Sequence, residues 1–240
     1  MAPGASRLTG VLAAAAVAAA LSPAAAAARG PVVVQRSVEV AELKTSHKAV
    51  WSLGARRARG RMVRPTRPIT GTRTVLPVDG HRTTPDGIRW LRVRVPGRPN
   101  GRKGWIARRG TTLSRTPWQI VINTRTLRLR VYRRGRLARA FPAAVGKPST
   151  PTPHGRFFVE ESVRMPAGAA GGPYALALSA RSNVLQEFEG GPGQIAVHGV
   201  MNLGGRPGTA ISHGCVRVAD HNTRWMAARI APGTPVTIVG

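Results

Sequence analysis

The sequence has a single cysteine, Cys215, and only nine acidic residues in 240. One thiol closes no internal disulfide, so the fold has to rest on packed cores. After residue 30 no apolar run approaches the length of about 18 residues needed to span a bilayer. Helical periodicity is weak along most of the chain and no internal repeat appears, which favours an all-β protein. Paired metal-ligand spacing is also missing: His198, His213, Cys215 and His221 read H-x14-H-x-C-x5-H, unlike the usual zinc sites.

Positive charge is what the chain has in excess. Lys and Arg number 37, giving a formal charge of +28, with 20 basic and 4 acidic residues in 29–112 and 16 and 5 in 113–240. Such a field draws polyanions without choosing among them. "RRARGRMVR" (56–64) would mark a nucleic-acid patch in a cytosolic protein, but the first residues argue for export. Arg7 precedes an Ala/Val/Leu run from Val11 that ends in small residues at Ala28, the layout of a secretory signal peptide over 1–28. The alternative is an uncleaved membrane anchor; Pro23 and the weakly apolar alanines favour cleavage. The expected location is the cell wall or periplasmic space, where nucleic acid is no partner and anionic envelope polymers supply the counter-charge. An odd cysteine in an exported protein points to an intermolecular partner or a reactive thiol.

From residue 32 short apolar alternations are broken by Gly and Pro, which reads as mainly β. "VVVQRSVEV" (32–40), "IRWLRVRV" (88–95) and "GWIARRG" (104–110) are strand candidates, and "PGRPNG" is a turn between the last two. The stretch from Trp90 to Ile106 resembles the closing strands of bacterial SH3-like domains, so 29–112 is expected to form a small SH3-like barrel. In 116–146, Leu127, Leu129 and Val131 alternate with Arg128, Arg130 and Tyr132, and an Arg-Arg-Gly-Arg turn makes a hairpin that opens a second domain, 113–240. "RFFVEESV", "YALALSA", "GQIAVHG" and "PVTIVG" add strands. The one good helix candidate is 221–230, with Asp220 as N-cap and Trp225, Met226 and Ile230 on a common face.

Cys215 lies in "ISHGCVRV". A lone Cys is most often a small buried hydrophobe, but here two glycine-flanked histidines are near. A thiol has a pKa of about 8.5 and attacks as the thiolate, so it needs an adjacent imidazole. In extended backbone i and i+2 share a face, which puts His213 beside Cys215; His198 closes a strand 17 residues upstream and could arrive across a sheet. Spacing does not choose between them. Gly214 lets a substrate approach the backbone, and the amides of His213, Gly214 and Cys215 are candidate oxyanion donors. Arg217 is a fixed cation suited to a substrate carboxylate.

"HGVMNLGGRPGTAISHGCVRV" (198–218) closely resembles the active-site signature of the L,D-transpeptidases of YkuD type. "GKPSTPTPHGRFFV" (146–159) is similar to that family's upstream segment and "APGTPVTIVG" to its end, so the resemblance covers 115–240. It implies an L,D-transpeptidase β-sandwich with one or two short helices. It also implies Cys215 as nucleophile, His198 as general base oriented by the carbonyl of Gly199, and His213 and Gly214 lining the oxyanion region with the Cys215 amide. Ser212 matches the signature as a support of the loop and is grouped with Arg217 and Tyr174 as the substrate-binding residues; some members carry Asn where this chain has Arg217. No metal or cofactor is implied. The substrates would be peptidoglycan stem peptides, joined in 3→3 cross-links through a cysteine thioester, with carbapenem-type β-lactams as inhibitors and the chain a monomer. Hydrolysis of the same acyl-enzyme would make an L,D-carboxypeptidase, and a non-catalytic wall-binding protein is the reading from another class. Because Cys215 and both histidines follow position 197, the second domain is expected to carry the chemistry alone while the first holds it to the wall by charge.

Overall fold

The computed structural model describes residues 32–54, 57–188 and 190–240; the expected signal segment, 1–28, lies outside them. The first half is one antiparallel sheet of seven strands: β1 (Val38–Leu43), β2 (His47–Val50), β3 (Gly60–Val63), β4 (Val75–Thr83), β5 (Arg89–Arg94), β6 (Lys103–Ala107) and β7 (Thr111–Thr116), in the order β3-β2-β6-β5-β4-β1-β7. It stands where the small SH3-like barrel is expected. The apolar start of "VVVQRSVEV" stays outside the sheet, and β1 begins only at Val38. Alternation in these strands buries Ala41, Leu43, Leu76, Leu91, Val93 and Ile106 in one core.

The chain changes sheet at Pro117. β8 (Trp118–Asn123), β9 (Arg128–Arg133), β10 (Arg136–Pro142), β12 (Gly155–Arg164), β13 (Tyr174–Arg181), β14 (Gln194–His198), β16 (Val216–Arg217) and β17 (Pro235–Val239) make an eight-stranded mixed sheet in the order β10-β9-β8-β17-β12-β13-β14-β16. The short pair β11 (Val145–Gly146) and β15 (Ala210–Ser212) stands apart. The β9–β10 turn is Arg134-Gly135, both at positive φ, the conformation a tight hairpin requires. Leu127 falls in the β8–β9 turn at φ 55, so the alternation read from 127 really begins at Leu129.

The one helix among the described residues, α1 (Asp220–Ala227), is shorter than expected, and its N-cap is Ala219 with no side-chain cap. Asp220 falls inside the helix, and its carboxylate is occupied elsewhere, as described below. Pro232 and Gly233 follow the helix end, as is common after a terminus. Met226 and Ile230 enter the second core beside Ile120, Leu129, Leu176, Val197 and Val216, and Trp225 packs edge-on against Trp118 and Phe141.

Strand β12 joins the halves. "RFFVE" has no polar position in its apolar run, and the reason is that both faces of the strand are covered. Phe157 and Val159 enter the second core, while Phe158, on the opposite face, is 1% exposed within the core of the first half. Next to it Glu160 and Glu161 are buried. Glu160 is paired with Arg67 and Arg181, and Glu161 accepts from the amide and hydroxyl of Thr70 at 3.0 and 2.8 Å. Phe158→Ala should therefore cost about 3–5 kcal/mol and make the two halves unfold at different denaturant concentrations. Chemical denaturation followed by tryptophan fluorescence checks this; a loss under about 1 kcal/mol would deny the shared packing.

Candidate active site

The site is built on the pairing of β14 with β16, which run parallel with Val197 opposite Val216 and His198 opposite Arg217. Successive strand residues point to opposite faces. Ile195, Val197, Val216 and Val218 are buried in the second core, so Ala196, His198, Cys215 and Arg217 turn to the other face. Cys215, half-buried, sits immediately before β16. Its Sγ accepts from the amide of Ala196 at 3.4 Å and donates toward Gln194 O at 3.9 Å. The thiol thus lies against the strand that ends in His198, beside the residue two positions before it.

His198 Nδ1 is 2.8 Å from Gly199 O. A carbonyl only accepts, so Nδ1 holds the proton and Nε2 presents a lone pair. Burial pushes the His198 pKa below its ordinary value; the Gly199 bond opposes the shift and the nearby Arg217 guanidinium adds to it. The imidazole is consequently neutral at neutral pH. Its surroundings require glycine. A Cβ on Gly171, which is at φ 77, would lie 2.6 Å from His198 Nδ1, and one on Gly199 would collide with Gly172 O and Asp220 Oδ1. Asp220 Oδ1 instead accepts from the amides of Val200 and Met201 at 2.8 and 3.3 Å, holding the chain as it leaves His198.

The loop before Cys215 is braced by hydroxyls. Ser212 is fully buried; its Oγ donates to Cys215 O at 2.5 Å and accepts from Gly214 N at 3.1 Å. Ser212, expected to support the loop and grouped with the substrate contacts, thus braces the loop, and the Gly214 amide, expected as an oxyanion donor, is already engaged. Thr150 donates to Ser212 O at 3.1 Å and Thr152 to Gly214 O at 2.9 Å. Both threonines stand in the quoted segment 146–159, where their role was invisible because a buried hydroxyl and a surface one look alike in sequence. His213 is exposed and stacks on Phe188, ring centroids 5.6 Å apart. Arg217 shares the His198 face but donates from Nη1 to Gly204 O at 2.7 Å. Tyr174 opens β13 opposite Arg164, one position out of the row Ala175–His198–Arg217, so alternation turns it from the site face. No group of three or more His, Cys, Asp and Glu is arranged to hold a metal among the described residues.

The first half reaches the site through the turn read as "PGRPNG". Arg98 donates to Ser182 O, Leu185 O and Pro192 O at 2.8, 3.0 and 3.0 Å, and Asn100 exchanges hydrogen bonds with the backbone of Arg181 at 2.7 and 2.8 Å. The segment they hold carries Phe188 to His213 and then enters β14. Strand patterns mark Arg98 only as part of a surface turn, so its reach across the chain could not be read from sequence.

Residues 117–238 match the YkuD family, described as the L,D-transpeptidase catalytic domain. A Bacillus licheniformis protein named as the L,D-transpeptidase YkuD is 32% identical over 122 residues, 51% of this chain and 66% of that protein. L,D-transpeptidase 1 of Mycobacterium tuberculosis is 32% identical over 118 residues, 46% of this chain and 45% of that one. The chain thus spans between about half and two thirds of the curated relatives it matches. Among solved structures, an L,D-transpeptidase from Mycobacterium smegmatis aligns at 18% identity with a TM-score of 0.41, covering 64% of this chain and 91% of that one. The match of just over half of the chain, falling on the sheet that carries His198 and Cys215, makes it a member of the YkuD family of L,D-transpeptidase catalytic domains.

Proposed function

We propose that the chain is an exported peptidoglycan L,D-transpeptidase that forms 3→3 cross-links through a thioester on Cys215. The observation that carries the reading is the placement of Cys215 and His198 on one face of adjoining strands, with His198 Nδ1 committed to Gly199 and Nε2 left as a base. Membership of the family supports it.

In this reading Nε2 takes the thiol proton, and Sγ attacks the carbonyl of the L-centre of the third stem residue. The tetrahedral oxyanion forms beside the turn His213-Gly214-Cys215, whose shape Ser212, Thr150 and Thr152 fix. Its collapse breaks the bond to the terminal D-amino acid, whose amine receives the proton from His198. A side-chain amine of a second stem then attacks the thioester. It gives up its proton through His198, and Sγ leaves and is reprotonated. The exposed basic surface suits a wall that carries stem carboxylates and other anions.

Imipenem is a convenient probe, because its strained carbonyl offers the thiol the same kind of centre. Intact-mass spectrometry should show one adduct per wild-type chain and none on Cys215→Ala, which should also form no cross-linked product from a tetrapeptide stem with an amine acceptor. His198→Ala should slow acylation by about 10²–10⁴-fold, the usual worth of a positioned base, and His213→Ala far less. The reverse ranking would move the base to His213, and cross-linking by Cys215→Ala would end the mechanism.

The acid limb of the acylation profile follows from the direction of the His198 shift. The base works when neutral and its pKa is lowered, so acylation should persist as pH falls through the ordinary histidine value of about 6.5 and decline only below it. A limb centred above that value, measured by rate against pH, would contradict a buried neutral base.

Arg98→Ala should slow imipenem acylation by about tenfold, the equivalent of one ordinary hydrogen bond lost from the site. Arg98→Lys should recover only part, since one ammonium cannot reach three carbonyls as a guanidinium does. Unchanged rates in both variants would show that the segment 182–192 holds its position without the first half.

A further inference from the structure

Between the two halves lies a cavity of about 610 Å³ whose walls include Arg61, Arg64, Arg67, Arg98, Arg181 and Glu160. Five guanidiniums thus face one lining carboxylate. Glu160 is shared between Arg67 and Arg181, and Glu161 Oε1 lies 3.9 Å from Arg67 Nε. The other contacts of these arginines are with carbonyl oxygens. Arg61 donates to Pro96 O and Arg98 O at 2.8 and 2.7 Å, Arg98 to three carbonyls of the 182–192 segment, and Arg181 to Leu178 O and Ala180 O at 2.9 and 3.1 Å. Carbonyls fix the positions of the guanidiniums without cancelling their charge. Arg67 Nε is buried with no hydrogen-bond partner. Burial pushes the Arg181 pKa down to about 10, and the charges of Arg98 and Arg61 add to the shift.

We infer that this cavity is a binding site for a phosphate group, borne either by free phosphate or by a phosphodiester polymer. The charge balance favours phosphate over a carboxylate. Counting both glutamates, three positive charges remain uncompensated. A phosphate dianion removes two of them where a carboxylate removes one; a phosphodiester carries one charge, so a polymer reaches the same balance by placing two successive phosphates in the cavity. Guanidinium forks match the oxygens of phosphate two at a time, and positions already fixed by carbonyls lose little freedom on binding. The site depends on the arginines alone and not on the proposed reaction.

The test has to separate a site from the general field of a +28 chain. Met62 lines the cavity mouth and is 59% exposed; Leu137, on the β9–β10 hairpin at the far edge of the second sheet, is 55% exposed. Met62→Glu and Leu137→Glu therefore make the same change of charge at matched exposure, and neither removes a hydrogen bond. Calorimetric titration of the full chain with inorganic phosphate, and separately with a glycerol phosphate trimer, is made in 0.15 M salt, where the screening length is about 8 Å. A saturable one-to-one isotherm is expected, weakened at least about tenfold by Met62→Glu, a shift of roughly 1.4 kcal/mol, and unchanged by Leu137→Glu. Binding of the trimer identifies a polymer as the source, and binding of the ion alone identifies free phosphate; either upholds the site. Equal weakening by both variants, or no saturable isotherm with either probe, would overturn it.

Discussion

The period of two along β14 and β16 is the constraint on which the site depends. Ile195, Val197, Val216 and Val218 have to face the core because nothing else fills that space, and their burial fixes where His198 and Cys215 point. A slip of one residue in either strand would bury the histidine or the thiol and expose two apolar side chains, so register is enforced by the cost of exposing them rather than by the site itself. The parallel pairing adds a second condition. His198 stands opposite Arg217, two residues beyond Cys215, so the loop 213–215 must cross the strand end at a fixed height. Ser212, Thr150 and Thr152 supply that height through hydroxyl bonds to the loop's own carbonyls.

The same logic of two covered faces explains the junction of the halves. β12 has Phe157 and Val159 on one core and Phe158 on the other, and then continues into Glu160 and Glu161. Burying two carboxylates is unfavourable unless both are compensated, and removing one partner of such a group typically costs about 3–5 kcal/mol. Here the compensation comes from both sides of the junction: Arg67 and Thr70 from the first half, Arg181 from the second. The charges therefore act as a register for docking as well as a source of attraction. The expectation that the second half carries the chemistry alone while the first serves only to hold the wall leaves out this arrangement, in which the turn at 96–101 and strand β12 are common property.

What was legible in the sequence follows from how local the cause is. Alternation announced β5, β13, β14 and β17, and a continuous apolar run announced β12, because each is decided by its own residues facing one core or two. The helix was found but overextended. The excess is at its far end, which stops at Ala227, while its start falls one residue early: the Asp220 carboxylate serves Val200 and Met201 across the fold instead of capping its own turn. At the site, the spacing of His198, His213 and Cys215 gave the residues, but only the parallel pairing separates them: His198 is placed in the strand beside the thiol, while His213 is turned out to Phe188. Ser212 was expected from the resemblance to support the loop, and its hydroxyl bonds stay within the loop. Arg98, Thr150 and Thr152 act through contacts at long sequence separation, which no pattern of period two or 3.6 encodes.

A chain with so many cations has to keep them from repelling one another, and several guanidiniums lie over tryptophan faces. Arg102 is 4.0 Å from the Trp51 ring, and Arg139 and Arg229 both approach Trp225 at 4.9 Å. Such contacts place the positive head against the negative face of the ring, so the surface stays basic while part of its self-repulsion is offset. Inside the site the positive field acts on His198. Burial and Arg217 lower its proton affinity against the pull of Gly199, which makes the imidazole a weaker base than a solvated one but keeps it neutral and available. In the proposed reaction the loss on the first proton transfer would be recovered on the second, because an imidazolium held in that environment is the stronger acid. Breaking a stem amide would require a proton on the leaving nitrogen, so a histidine poised low would favour the step in which the leaving group is hardest to expel.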